Sequence, residues 1–279
     1  MYQAPNAPLS MGGVLDSGFT LFRECFTQVF LFAFATSLIT APASYLAPVI
    51  QTNGFSPSLI GGLIGGGFVL TIVTLILTSA IIVRVDAVAH GEQMSAADAL
   101  ALGARRAPSA FVSSLLMGIA IAAVPCLFAA AGLVSGVALE IVAALAALLI
   151  FVPGSVIAIW LIFGPYAAIV DRLGPFTSLR YSRAITRGHW WRTMALITII
   201  AIILIVIYMV IAIAASVAAI GNPEAIAAGQ SPWWLQFVVS PVLSAVAVPL
   251  SYSLFMAIFY DLKLRYEGGD LAARIAGTA

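Results

Sequence analysis

Charge is scarce in this chain. Of its 279 residues only 8% are Asp, Glu, Lys or Arg, against roughly 25% in an ordinary soluble domain. So few charges cannot cover the surface of a water-soluble protein of this length, and lipid is expected to be the solvent for most of its exterior. The formal net charge of +1 leaves no broad basic field, so nucleic acid is not expected as a partner. Histidine and cysteine are scarcer still, at two each. A metal centre draws several His, Cys, Asp or Glu ligands together at short spacing. Here His90 and His189 stand in different loops, and no His-x-x-x-His or Cys-x-x-Cys pattern occurs, so neither a metal nor a cofactor is implied. Cys25 belongs at the edge of one apolar run and Cys126 deep in another; residues at different depths do not pair as a disulfide. A Gly-x-x-x-x-Gly-Lys-Ser/Thr phosphate loop and a Gly-x-Ser-x-Gly elbow are both missing. Residues 1–22 contain no Lys or Arg, and the first apolar run begins near Val29. That run is expected to be a retained span, not a cleaved signal peptide.

What the chain has is apolar length. Hydrophobic residues make up 62% of it, and six stretches reach the ~20 residues that cross a hydrocarbon core. They are Gln28–Ile50, Leu59–Val83, Ser109–Ala131, Ile141–Ala168, Thr193–Ile220 and Leu235–Tyr260, and none contains Asp, Glu, Lys or Arg. Pro42, Pro48, Pro125, Pro153, Pro165, Pro241 and Pro249 fall within spans, where they kink a bundled helix without ending it. The basic residues fix an expected orientation. Segments 51–58, 132–140 and 221–234 have no Lys or Arg. All twelve lie on the other side: Arg23, Arg84, Arg105, Arg106, Arg172, Arg180, Arg183, Arg187, Arg192, Lys263, Arg265 and Arg274. By the positive-inside rule both termini are then cytoplasmic, and Trp190–Trp191 and Trp233–Trp234 mark opposite interfaces.

The chain also repeats a unit. A polar start at Ser10, Ser95 or Thr177 opens an amphipathic segment, basic residues follow, and a hairpin of two spans returns to Asp86, Asp171 or Asp261. The first segment, Met11–Phe26, places Val14, Leu15, Gly18, Phe19, Phe22 and Phe26 opposite Asp16, Thr20, Arg23 and Glu24. The second opens on Ser95-Ala-Ala-Asp98, which resembles a capping box. The expected architecture is all-α: six transmembrane helices as three hairpins, with three cytoplasmic-side interfacial amphipathic helices. The whole is one integral membrane domain of parallel pseudo-repeats 10–86, 95–171 and 177–261.

Three stretches carry a family resemblance. Pro8-Leu-Ser-Met-Gly-Gly-Val-Leu-Asp-Ser-Gly-Phe-Thr-Leu-Phe-Arg23 resembles the start of the membrane domain attached to some bacterial glycerophosphoryl diester phosphodiesterases. The run from Asp171-Arg-Leu-Gly-Pro to Gly-His-Trp-Trp-Arg192 resembles its second signature, and Phe259-Tyr-Asp-Leu-Lys-Leu-Arg-Tyr-Glu-Gly268 its tail. The resemblance spans essentially the whole chain. It implies a membrane domain without assigned role, because the family's phosphodiester chemistry belongs to a separate soluble barrel. No catalytic residue carries over.

Several residue groups admit two readings. Asp86, Glu92, Asp98 and Asp171 suit a hydrolase or transferase if they converge, or else simply solvate and orient loops. Ion-coupled transport wants ionisable groups inside spans; Glu140 and Glu224 stand in loops or at a rim, which argues against a proton relay. Gly61, Gly62, Gly65 and Gly66 have small-x-x-x-small spacing, suiting either a homodimer face or packing inside the bundle. Arg180, Arg183 and Arg187 share one stripe, flanked by Arg172 and Arg192. With Arg192 they suit a lipid headgroup or anion site, or topological anchoring alone. Ser178, Ser182 and Thr186, at i, i+4 and i+8, suit helix-packing hydrogen bonds. The expected function is non-enzymatic: a bacterial inner-membrane protein handling lipid or small amphiphiles or supporting membrane homeostasis. Membrane lipids are its expected partners. The alternatives are an accessory or scaffolding subunit with a protein partner or a second copy, and then the loop-carboxylate enzyme.

Overall fold

The computed structural model describes residues 7–42, 57–135, 154–220 and 234–277, together with Tyr2 and Pro5. Among the described residues the chain is helical and contains no strand. Helix α1 (Met11–Thr40) buries Val14, Gly18, Leu21, Cys25, Val29, Phe32 and Ala33, a spacing of threes and fours that makes one stripe. Phe22, Phe26, Phe30 and Phe34 stand at i, i+4 along it, with successive ring centroids 5.3, 5.4 and 6.2 Å apart. Helix α2 is Pro57–Ala89 and α3 is Ala96–Ser135. The start of α3 is set by Ser95, whose Oγ accepts the Asp98 N–H at 3.1 Å and donates to the Asp98 carboxylate at 2.6 Å. Residues 154–161 form α4, Gly164–Val170 α5, Pro175–Thr186 α6 and Trp190–Ile220 α7. A π-helical turn at Leu235–Val239 leads into α8, Ser240–Gly277. Pro241, just beyond that turn, has no N–H for an ordinary α bond, and a widened turn is a common accommodation.

Four helices among the described residues are long and apolar enough to cross a membrane: Met11–Thr40, Gly65–Ala89, Trp190–Val210 and Phe237–Gly268. They overlap four of the six expected spans. The expected span Ser109–Ala131 lies within α3, and Ile141–Ala168 is described only from residue 154 onward. The segments 51–58, 132–140 and 221–234, with Glu140 and Glu224, fall largely outside the described residues.

The expectation of three separate interfacial helices needs correction. Only α6 stands apart from the apolar helix that follows it. Residues 11–26 and 96–106 are the opening turns of α1 and α3, which run on without a break. The physical difference is local. Between α6 and α7 Gly188 takes φ +89°, a left-handed conformation that glycine adopts without steric penalty, and it ends the helix there. Nothing comparable lies between Phe26 and Gln28, so α1 runs on through its i→i−4 bonds.

The chain divides into two compact units. One comprises residues 12–105 and 197–257 with the extreme N-terminus. In it a Cβ on Gly18 would lie 2.7 Å from Leu254 Cδ2, and one on Gly103 would lie 2.7 Å from the Ala80 backbone nitrogen. Both helix pairs therefore approach only because no side chain intervenes. Arg84 joins the same unit through carbonyls: Nη1 donates to Gln28 O at 2.6 Å and Nη2 to Met94 O at 2.9 Å, with the guanidinium 5.5 Å from the Phe32 ring centroid. The other unit comprises residues 5–11, 106–196 and 258–279, with Phe163, Tyr166 and Phe259 packed at centroid distances of 6.1 to 6.3 Å.

Candidate functional site

The lipid- and anion-binding candidates Arg180, Arg183, Arg187 and Arg192 lie in the second unit. Its frame is made by hydroxyls. Helix α4 stops at residue 161 because Pro165 denies the chain an amide. Ser182 repairs the gap: its Oγ donates to Trp160 O at 2.7 Å and accepts the Phe163 N–H at 3.2 Å. One turn earlier, Ser178 Oγ lies 2.8 Å from Ser113 Oγ. One turn later, Thr186 Oγ1 donates to Ser182 O at 2.8 Å. All three are fully buried; Ser178 and Ser182 make the expected helix-packing bonds, while Thr186 bonds back within α6.

With its small hydroxyls turned inward, α6 turns its arginines out. Arg180, Arg183 and Arg187 are exposed, as is Arg172. Arg172 sits at φ 55° in the turn after α5. Arg183 lies over the Trp160 ring, 4.7 Å from its centroid, a contact that orients the guanidinium while leaving its charge outside. Phe176 and Trp191 flank this face at 69% and 77% exposure. The surface is thus cationic and aromatic at once.

Arg192 is differently employed. The carboxylate of Asp261, only 1% exposed, accepts from Arg192 Nη2 at 3.1 Å and from Arg265 Nε at 2.9 Å, both on Oδ2. Its Oδ1 accepts the Leu9 N–H at 2.8 Å. The two arginines close the ring by donating from Nη2 to Leu9 O at 2.7 Å each. The N-terminal segment is therefore clipped to α7 and α8 by both polar atoms of one peptide residue. Beside this clamp Lys263 pairs with Asp171. Tyr181 meets Tyr266 edge-on with centroids 6.0 Å apart. Burial first, and then the carboxylates of Asp171 and Glu267, push the Tyr181 hydroxyl well above its ordinary pKa, so it stays a neutral donor.

An open cavity of about 450 Å³ adjoins the clamp, walled by Ala7, Pro8 and Leu264 and carrying His189, Arg265 and Glu267. In the sequence His189 and Arg265 stand 76 positions apart, and no pattern brings them together. The one legible sign was the i, i+4 spacing of Asp261 and Arg265.

The remaining candidates separate. Asp98 is taken up by Ser95. His90 Nδ1 lies 3.4 Å from the Asp86 carboxylate, and Asp171 belongs to Lys263. No group of three or more metal-ligating side chains occurs among the described residues. Gly65 and Gly66 are exposed, and no described atom lies within 4 Å of a Cβ placed on either. The surroundings of Gly61, Gly62 and Cys126 lie outside the described residues. No family model matches the chain, and no curated protein or solved structure matches it either.

Proposed function

We propose that this chain is a non-catalytic bacterial inner-membrane protein of six spans, with both termini cytoplasmic, that binds anionic lipid or small amphiphiles at its cytoplasmic face. The observation that carries this reading is the polarity of α6. This helix exposes Arg180, Arg183 and Arg187 beside the largely exposed rings of Phe176 and Trp191, so cations and large apolar rings share one surface. It suits a headgroup region, where cations meet phosphate and aromatics sit at the acyl boundary. The unbroken split of the twelve basic residues supports the orientation. The sequence resemblance to the phosphodiesterase-associated membrane domain supports a bacterial membrane role.

Replacing Arg180, Arg183 and Arg187 together with Gln is expected to lower affinity for anionic vesicles by up to about a hundredfold at low salt, with the difference shrinking as salt rises. Orientation is expected to survive, because Arg84, Arg105, Arg106, Lys263 and Arg265 remain. Equal vesicle binding by the variant and the parent protein would reduce the stripe to anchoring. A second reading, an accessory subunit, is favoured by the uncovered face at Gly65, Gly66 and Phe68. Stoichiometric co-purification of one protein in mild detergent would select it.

A further inference from the structure

We propose that the cavity beside the clamp binds a small zwitterionic phosphoester, the chemistry of a phosphoethanolamine headgroup. The argument begins with charge. Asp261 is one carboxylate serving two guanidiniums, Arg192 and Arg265, so the clamp keeps one positive charge uncompensated. Of its two arginines, Arg265 also lines the cavity. Its Nε and one Nη2 contact are fixed by Asp261 and Leu9 O, and a guanidinium carries five N–H donors in a rigid plane. The plane is thereby held, with donors left over for an anion, which is the preorganisation that phosphate recognition exploits.

His189 comes to the same cavity from the α6–α7 turn. Its backbone is pinned on both sides: its N–H donates to Thr186 O at 3.1 Å, and its carbonyl accepts the Thr193 N–H at 2.9 Å and the Thr193 hydroxyl at 3.0 Å. The imidazole is presented by a fixed loop and supplies a second donor to the anion. The third polar group, Glu267, is a carboxylate at the exposed edge of the cavity. A bare phosphate would be repelled by it. A ligand with phosphate toward Arg265 and His189 and an ammonium toward Glu267 satisfies all three groups. The walls of Ala7, Pro8 and Leu264 receive the methylenes between the two charges. The volume falls within the range of about 300 to 1,000 Å³ typical of small-molecule sites.

The proposal rests on the lipid-handling reading only for the source of the ligand; the chemistry stands on the cavity alone. It is tested by titrating the full chain in detergent with O-phosphoethanolamine, inorganic phosphate and ethanolamine. The expected order is phosphoethanolamine tightest, phosphate about tenfold or more weaker, and ethanolamine weakest, because each charge-assisted contact contributes at least that factor. Glu267→Gln is expected to abolish the preference for phosphoethanolamine over phosphate while leaving phosphate no weaker. His189→Ala is expected to weaken both. Neither residue belongs to the Asp261 clamp, so both variants should fold, and an unchanged unfolding temperature confirms that. Equal affinity for phosphoethanolamine and phosphate, binding of neither, or indifference to both substitutions overturns the site. A parallel arm in nanodiscs compares retention of phosphatidylethanolamine with that of phosphatidylglycerol. Selective retention assigns the ligand to the bilayer. Phosphoethanolamine binding without it assigns the same site to a soluble phosphoester. The arginine stripe of α6 lies outside the cavity, so failure of the vesicle experiment and failure of this one are separately readable.

Discussion

At Gly103 in the first unit α2 and α3 meet backbone to backbone, with nothing between them but a missing Cβ. At Asp261 in the second unit three segments meet through one buried carboxylate, two guanidiniums and a peptide group. The first joint needs no polar partner, because close van der Waals approach of the two backbones does the joining. The second suits a boundary where water is near enough to solvate what the protein leaves over, because a charge cluster with an unequal count is very costly farther in. The contrast is one of packing chemistry: a missing side chain makes one joint and a shared carboxylate the other. Arg84 fits it as well. In the first unit it has carbonyl and aromatic partners, and among the described residues its buried Nε meets no partner.

The contrast is broken most decisively at the clamp. Asp261→Asn leaves two guanidiniums facing each other around Leu9, and is expected to destabilise the protein by about 3 kcal/mol. That is the low end for a buried pair, since the Arg192 and Arg265 side chains keep 17% and 23% exposure. Thermal unfolding in detergent reads the loss, and proteolysis at the N-terminus reads the release of the clipped segment. An unfolding temperature equal to that of the parent protein would mean the clamp is ornamental.

A smaller effect is expected from Ser182→Ala. It strips the acceptor from the Phe163 amide and the donor from Trp160 O at the α4–α5 break, a loss of about 1 to 3 kcal/mol for buried groups left unsatisfied. Ser182→Thr restores the hydroxyl and should recover part of it. If the alanine variant is as stable as the parent, water substitutes for the hydroxyl and the site is wetter than its burial indicates.

Glycine substitutions sharpen the first unit at the smallest scale. Gly103→Ala pushes a methyl group into the Ala80 backbone, a strain of about 1 to 3 kcal/mol offset by roughly 1 kcal/mol of helix propensity. Gly65→Ala meets open space and gains that propensity without strain. The two should therefore move the unfolding temperature in opposite directions. Equal shifts would mean that α2 and α3 are free to separate.

Part of the frame was legible in residues. The 3-4 spacing of apolar positions reads as helices and Ser95-x-x-Asp98 as the start of α3, whereas Pro165, expected only to kink its span, stands at a true break between α4 and α5, and the break at Gly188 was not anticipated. The inward Ser178–Ser182–Thr186 face followed from its i, i+4 spacing. Other features depend on pairs far apart in sequence. Leu9 and Asp261 are brought together by the fold, as are Arg192 and Asp261, and no local pattern announces either contact. Glycine shows the same limit. The run Gly61-Gly-Leu-Ile-Gly-Gly-Gly67 draws attention by its spacing, yet Gly65 and Gly66 face open space. The lone Gly18 and Gly103, which no motif marks, are where helices close. What a missing side chain does is decided by what stands opposite it. The continuity of α1 and α3 was hidden for a related reason, since an amphipathic segment followed by an apolar one reads alike whether or not the helix bends between them.

In the orientation proposed above, the basic residues, the clamp and the cavity share the cytoplasmic face. The most direct test is labelling of single cysteines in intact cells by a membrane-impermeant thiol reagent, in a background with Cys25 and Cys126 replaced by Ser. Cysteines at Asn53 and Gly229 are expected to react from outside. Those at Gln93 and Phe176, both exposed, are expected to react only after the membrane is opened. Reaction of Gln93 or Phe176 in sealed cells, or reaction of Asn53 and Gly229 from opposite sides, would contradict the account.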